Sequence, residues 1–352
     1  MKSPSRKFAH AGQIFSFFLR AALAAAIIGW MAVKYHASIA EALRDLDYRW
    51  LPPAVLLYAF HLIVCAWRWR NLAEVLQIHL SAGEALALTM QGNFFSLVIP
   101  GGAIGGDVAK AGILMKRSKP GTRFEGTFSI LMDRMTGMVA LFLPTLAVAV
   151  AALPLLLQVT LPGQTASGVA RYLLPAGVFG LCLAGLGGAV LIFFHRAFRK
   201  IRLCDRLMNY GDRLSHGLVS RLTEATDAYA RRWRLLAGMT LAGVVFVHGI
   251  QIPIVLCLIR ALGMSCEDFT GVCAAVLIGN LAGLLPCTLS GIGLRDVTIC
   301  AILTVSGVAH PAAVPLLLTV LIVLFNLAGG VFFIFSPRRS PSIQTCTHEA
   351  KL

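Results

Sequence analysis

Long apolar runs separated by short polar segments dominate the chain. Several runs reach the roughly 20 residues that a helix needs to cross a ~30 Å hydrocarbon core. They are rich in Leu and Ala and show no period-two alternation, which favours helices over strands. The pattern predicts an all-α polytopic membrane protein with about six full transmembrane helices. These cover about residues 14–34, 51–67, 126–153, 171–194, 235–260 and 312–335.

Two further apolar stretches, 84–115 and 269–306, are interrupted by proline and glycine. The first break falls at Pro100 and Gly101, and the second falls within 285–291. Each arm has about 15 residues, or roughly 22 Å at 1.5 Å per residue, which is too short to span comfortably. We therefore expect two re-entrant helical hairpins. The alternative is that proline and glycine merely kink two ordinary spans.

Loop charges orient the predicted spans. The segment 195–234 carries ten Lys or Arg against four Asp or Glu, and both the N-terminus 1–13 and the tail 336–352 contain basic residues. The positive-inside rule predicts the cytoplasmic side for all three. Basic segments also flank the first hairpin, so it enters from the cytoplasm, whereas counting spans places both ends of the second hairpin outside. The two units then form an inverted repeat within a transmembrane domain of residues 14–335: about 51–153 and about 235–335.

The two broken segments share a short motif: Gly-Asn, then Pro, then clustered glycines. The proline lies eight residues after the first glycine in one segment and seven in the other, and a glycine (Gly105 or Gly291) lies five residues after the proline in both. Inverted repeats with interrupted helices are typical of secondary transporters. A broken helix also exposes unpaired N–H groups that suit an anion. The break residues are Pro100, Gly101, Gly105, Gly106, Pro286, Gly291 and Gly293.

Composition excludes several function classes. Only 13% of residues are charged and 57% are hydrophobic, whereas about a quarter of the residues in a soluble domain are charged. The net charge is +15, but the basic residues lie between apolar runs, as they do in the cytoplasmic loops of membrane proteins. We therefore expect no nucleic-acid partner. The nine cysteines form no CxxC pair, and we expect neither a metal nor a cofactor. No P-loop, HExxH or GxSxG motif is present, so we expect neither ATP-driven transport nor an enzyme.

The motifs resemble those of the flippase-like transmembrane family found in lysylphosphatidylglycerol synthases and in stand-alone bacterial and archaeal membrane proteins. The resemblance covers roughly residues 15–335. Its matching stretches are Gln91-Gly92-Asn93-Phe94-Phe95, Pro100-Gly101, Gly105-Gly106-Asp107, Asp133-Arg134-Met135-Thr136-Gly137, Gly279-Asn280, Leu285-Pro286 and Ser290-Gly291-Ile292-Gly293-Leu294-Arg295. This chain has Lys110 where the family pattern has Arg, and Asp296 where it has Glu. Because Lys lacks the bidentate fork of Arg, a phosphate clamp at position 110 would be looser.

The candidate site consists of polar residues in or beside the hairpins, because ionisable groups at membrane depth are costly. Asp107 either caps its helix or pairs with a cation, and Lys110 either holds a phosphate or snorkels to the surface. Arg295 is the strongest phosphate candidate, since guanidinium matches phosphate oxygens. The substrate-binding candidates are Asn93, Asp107, Lys110, Asp133, Arg134, Asn280, Ser290, Arg295 and Asp296.

The remaining candidates have structural alternatives. Asp133 and Arg134 either neutralise each other or pair with charged residues of the hairpins. Asn93 and Asn280 either cap freed backbone carbonyls or contact a headgroup. Ser290 is expected to cap the second returning arm. We interpret His61 and His248 as hydrogen-bonded packing residues, with a proton relay as the alternative.

The resemblance implies a lipid translocase in the bacterial cytoplasmic (inner) membrane, with both termini cytoplasmic. Its expected substrate is an anionic or polyprenyl-phosphate-linked lipid, and its partners are membrane lipids. The alternative is a non-transporting accessory subunit that holds a lipid-modifying enzyme or a glycosyltransferase. Without a recognisable catalytic motif, the activity of the synthases themselves is not expected here.

Overall fold

A computed structural model describes residues 36–44, 46–99, 102–117, 122–159, 169–193, 218–285 and 291–335, with a few positions before residue 36. Every regular element in these ranges is helical. This confirms the predicted all-α class. The helices are α1 (His36–Arg44), α2 (Leu51–Val75), α3 (Ala82–Val98), α4 (Ala103–Arg117), α5 (Arg123–Ala151), the short α6 (Leu153–Leu156), α7 (Ala170–Phe193), α8 (Leu218–Arg231), α9 (Trp233–Ala261), α10 (Phe269–Gly283), α11 (Leu294–Val305) and α12 (Ala313–Ile334).

Five helices in the described ranges are long and apolar enough to cross a membrane: α2 with the 3₁₀ turn before it, α5, α7, α9 and α12. They coincide with five of the six predicted spans, and the chain is a multi-pass membrane protein. Leu56 and Ile63, seven residues apart on α2, are exposed, which is the arrangement of a face in contact with lipid. The predicted first span and both terminal segments lie wholly or mostly outside the described residues.

Helix α2 extends beyond the predicted end of the second span. The prediction stopped at residue 67 because Arg68 and Arg70 follow, yet α2 continues to Val75. Arg68 is buried and its Nε donates to the Asp133 carboxylate at 2.9 Å. A paired guanidinium can lie inside a helix bundle, as this one does.

Both predicted hairpins are present as pairs of short helices, α3 with α4 and α10 with α11. Each begins with a side-chain cap. Ser81 and Glu84 form a capping box before α3, and the Asp268 carboxylate accepts from Gly271 N at 2.9 Å before α10. The turn residues Pro100, Gly101, Pro286 and Ser290 lie outside the described ranges.

The arms of each hairpin pack closely through glycine. A Cβ at Gly106 would collide with the Gly92 carbonyl oxygen across the first hairpin. In the second, Gly291 has φ +76° and a Cβ there would collide with the backbone of Gly283. Two arms in such contact lie side by side, which rules out the alternative of two merely kinked spans.

The two repeats pack reciprocally. Hairpin helix α3 of the first repeat packs on α12 of the second, and its counterpart α10 packs on α5 of the first. The leading spans α2 and α9 run antiparallel. Asp47 N donates to Ala261 O at one end, and the Arg68 guanidinium lies beside Gly243 toward the other. Antiparallel leading spans are what an inverted repeat requires.

Part of the predicted basic loop 195–234 is helical. Helix α8 is amphipathic, and Tyr229 on its buried face donates to Leu72 O at 2.8 Å. This contact fixes α8 against the end of α2. Residues 194–217 of the loop lie outside the described ranges.

Candidate functional site

A polar cavity of about 270 Å³ lies among α2, α3, α4, α5 and α9. It reaches Leu284, directly after α10, the first helix of the second hairpin. A single water needs only about 10–15 Å³, so this volume is large enough for several waters or a small polar group. Among the described residues, its charged lining consists of three cations and two carboxylates, which leaves one positive charge in excess. The lining residues are His61, Cys65, Arg68, Thr89, Gly92, Asn93, Ser96, Ala103, Asp107, Lys110, Asp133, Arg134, Gly137, Met138, Leu141, Val247, His248, Gln251 and Leu284.

Of the two arginines that pair with a carboxylate in this cavity, Arg68 is the more deeply buried. Its Nε donates to Asp133 Oδ1 at 2.9 Å, while its Nη1 is buried without a hydrogen-bond partner among the described residues. Glycine makes room for the guanidinium, because a Cβ at Gly137 or at Gly243 would lie about 3 Å from it. Gly243 also opens a π-helical turn, Gly243–Gly249, within α9. Such turns occur often at functional sites.

Arg134 and Asp107 form the second ion pair, with Nη2 and Oδ2 2.6 Å apart. The pair connects α5 to the first turns of α4, directly after the first break. Both side chains are partly exposed, at 39% and 30%. Of the two roles considered for Asp107, the structure shows pairing with a cation.

Lys110 has no carboxylate partner in the part of the chain that the structure describes. It is 6% exposed, and its Nζ lies 3.4 Å from the centroid of the Trp69 ring. Its one hydrogen bond to a described residue is a long one of 3.4 Å to Thr89 Oγ1. The Trp69 ring is held in turn by Nε1, which donates to Ser129 Oγ. Lys110 therefore does not snorkel to the surface; its ammonium is held inside the cavity.

Two histidines line the cavity on the α2 and α9 sides. His61 Nδ1 is 3.0 Å from Val247 O, and His248 Nε2 is 3.2 Å from Gly137 O. Because a carbonyl oxygen only accepts, each facing ring nitrogen carries the proton. Both are hydrogen-bonded as expected, but they also face the polar cavity.

An apolar groove of about 510 Å³ adjoins the polar cavity. It runs between α4 and α5 and ends at the second hairpin, at Gly283, Leu285 and Gly291. The cavity and the groove share Asp107 and Arg134, so this ion pair stands at their boundary. A further apolar groove of about 350 Å³ continues from Leu285 between α7 and the second hairpin. The site thus joins a small polar chamber to a long apolar surface.

The structure brings five of the nine candidate residues to the cavity. These are Asn93, Asp107, Lys110, Asp133 and Arg134. Asn280 lies behind it and donates to the Oε1 of the lining residue Gln251 at 2.8 Å. Ser290 is outside the described residues.

Arg295 and Asp296 form a separate cluster in the second hairpin. The Arg295 Nη2 is 2.8 Å from Asp296 Oδ1 and also donates to Thr319 Oγ1. The Asp296 Oδ2 accepts from Gly293 N at 2.9 Å and so caps α11. The guanidinium proposed as the main phosphate ligand is thus engaged within the second repeat and does not line the polar cavity.

Sequence reasoning missed the contribution of α2 and α9 to the site. Arg68 was interpreted as a surface marker, and Gln251 was not considered. One signal for Arg68 was present: Asp133 is a carboxylate within a predicted span, and an ionisable group at membrane depth needs a partner. Among the described residues no group of three His, Cys, Asp or Glu is placed to hold a metal ion.

Comparison with known proteins agrees with this architecture. No curated protein and no solved structure matches the chain. A family model described as the lysylphosphatidylglycerol synthase TM region matches residues 17–330, which include both hairpins, four of the five long helices and most of the fifth. That match covers most of the 352 residues and supports a lipid-related role in the membrane. The chain therefore belongs to the lysylphosphatidylglycerol synthase transmembrane-region family.

Proposed function

We propose that this protein translocates a lipid with an anionic, phosphate-containing headgroup between the leaflets of the bacterial cytoplasmic membrane. The headgroup occupies the polar cavity and the hydrocarbon chains lie along the adjoining groove. The protein is a transporter without catalytic activity of its own, and its termini are cytoplasmic. A phospholipid and a polyprenyl-phosphate-linked lipid share this chemistry, and the proposal covers both.

The observation that carries the proposal is the uncompensated ammonium of Lys110. Burying a charged group without a counter-ion costs several kcal/mol, so its retention in a membrane protein points to a ligand. In the described part of the chain both cavity carboxylates are paired with arginines, which leaves Lys110 as the available cation. A phosphate oxygen is a suitable acceptor for this ammonium.

The shape of the site supports a lipid over a small soluble anion. A soluble phosphate needs only the polar chamber, whereas the groove beside it is lined almost entirely by apolar side chains such as Ile104, Val108 and Leu131. These large side chains are exposed at 65%, 64% and 49%. Hydrocarbon chains would cover that surface while the headgroup stays in the chamber.

The two hairpins also support movement across the membrane. Their ends meet at the groove, where Gly102 of the first faces Gly283 and Gly291 of the second. Broken helices at a repeat interface are the usual position of a transporter substrate site. Because the sequence has no P-loop, the driving force is an ion gradient or the lipid imbalance itself.

Reconstitution tests the proposal. Purified protein in liposomes is supplied with a fluorescent anionic phospholipid, and transfer between leaflets is followed by dithionite quenching. We expect transfer above that of empty vesicles, lost in Lys110→Met and retained in Lys116→Met, which removes an exposed lysine of the same helix. Equal transfer by both variants would contradict the proposal. Lipid binding without transfer would favour the accessory-subunit alternative.

A further inference from the structure

Cys65 and His61 form a thiol–imidazole pair on the wall of the polar cavity. They are four residues apart on α2, where helix geometry places side chains next to each other. The Cys65 Sγ lies 3.8 Å from His61 Nε2, which is within hydrogen-bonding reach for sulfur. Both residues line the cavity and Cys65 is partly exposed, so a small molecule that enters the chamber can reach its side chain.

The other ring nitrogen fixes the direction of this hydrogen bond. His61 Nδ1 lies 3.0 Å from Val247 O, and a carbonyl oxygen only accepts, so Nδ1 carries the proton. In the neutral ring Nε2 then has a lone pair, and the Cys65 thiol donates to it. The ring of Tyr58 stacks on the imidazole with centroids 5.4 Å apart and holds its orientation. A thiol, a base and a group that orients the base are the parts of an activated cysteine nucleophile.

The cavity around this pair is electropositive. Arg68 follows Cys65 by one turn of α2 and lines the same chamber, and the described lining, with Lys110, has one positive charge in excess. Reactive cysteines lie in partly exposed, electropositive sites, whereas a thiol buried in apolar surroundings is inert. Of the described cysteines, Cys65 is the one that lines this cavity.

We propose that Cys65 is a modification site for hydrogen peroxide that enters the polar cavity. The thiol proton passes to His61 Nε2, and the sulfur attacks one oxygen of the peroxide. The O–O bond breaks, the sulfur is oxidised to a sulfenic acid, and the second oxygen leaves as hydroxide, which takes the proton from the imidazole and becomes water. The inference concerns the protein without a lipid and does not rest on the proposed function.

Cys266 provides an internal control in the same chain. It is also partly exposed, but its Sγ donates to Asp268 O at 3.5 Å, and a carbonyl oxygen is too weakly basic to take the thiol proton. The purified protein in detergent is treated with hydrogen peroxide for increasing times and then unfolded in the presence of dimedone, which traps sulfenic acids. Peptide mass spectrometry gives the rate at each cysteine. We expect Cys65 to be oxidised about tenfold faster than Cys266.

Two comparisons assign the difference to the thiol–imidazole pair. In His61→Gln the amide nitrogen can still donate to Val247 O, but no imidazole faces the thiol, so the rate at Cys65 should fall to that at Cys266. In a proteolytic digest made before the peroxide is added, the two cysteines should react at similar rates, because the fold no longer holds the base against the sulfur.

Each outcome bears on the inference. Equal rates at the two cysteines of the folded native protein overturn it. An excess at Cys65 that persists in His61→Gln overturns the role of the imidazole, and one that persists in the digest overturns the role of the fold. The native protein alone decides whether Cys65 is the reactive site, so the result does not depend on the folding of a variant.

Discussion

The Arg134 guanidinium lies 2.6 Å from the Asp107 carboxylate, and this pair ties the returning arm of the first hairpin to a full-length span. It is also the boundary between the polar cavity and the apolar groove. Since both side chains are partly exposed, the pair contributes at most about 1 kcal/mol to stability. Its position suggests a role in admitting or releasing the headgroup.

Asp107→Asn should therefore affect ligand binding more than folding. The substitution raises the excess charge of the cavity from one to two, so an anionic lipid should bind several-fold more tightly and leave more slowly. Binding in nanodiscs and transfer in liposomes measure the two effects separately. Asp107→Glu keeps the charge and serves as the control; weaker anion binding by Asp107→Asn would contradict this reasoning.

Arg68→Met should destabilise the protein. It leaves Asp133 partly buried, 19% exposed, without its cation, and breaking such a pair costs about 3 kcal/mol. Thermal unfolding in detergent should show a clear loss of stability. Adding Asp133→Asn to Arg68→Met should restore much of it, and a double variant no more stable than the single one would show that the pair is not the cause.

Gly106→Ala should disrupt the first hairpin, because the added methyl collides with the Gly92 carbonyl oxygen of the facing arm. Backbone cannot move aside as a flexible side chain can, so we expect a large loss of thermal stability. Gly112→Ala in the same helix has no atom within 4 Å of the new methyl, and it should be neutral or stabilising by up to about 1 kcal/mol. Similar melting temperatures for the two variants would argue against close arm packing.

Lys110→Arg should tighten phosphate binding, provided that the ring of Trp69 keeps its place beneath the new guanidinium. A planar fork contacts two phosphate oxygens where an ammonium acts as a point charge. We expect several-fold tighter binding of phosphatidic acid, measured by displacement, with a smaller gain for phosphodiester lipids. A loss of affinity for both would place the phosphate elsewhere.

The hairpins could be predicted because their signals are local. Proline and glycine interrupt both apolar stretches, and the arms are too short to cross the membrane. The composition of the site could be predicted only in part. Asp107 and Lys110 lie one turn apart beside a break, so their proximity is visible in the sequence.

The contribution of Arg68 and His248 depends on how distant helices pack. Residue 68 meets residue 133, and residue 248 meets residue 137, through contacts that no periodicity encodes. Arg295 shows the converse. The sequence suggested that its guanidinium binds phosphate, but this guanidinium already donates to the neighbouring carboxylate of Asp296 and to the hydroxyl of Thr319.

The two hairpins differ in how their charges are neutralised, and this bears on how the protein is made. Arg295 and Asp296 are adjacent, so the second hairpin can neutralise itself as soon as it leaves the ribosome. In the first repeat, the charges of Arg68 and Asp107 are neutralised only after their partners Asp133 and Arg134 have been synthesised, later in the chain. The first hairpin should therefore stay in the aqueous or protein-lined part of the insertion machinery until α5 follows it, and only then partition into the bilayer as one unit.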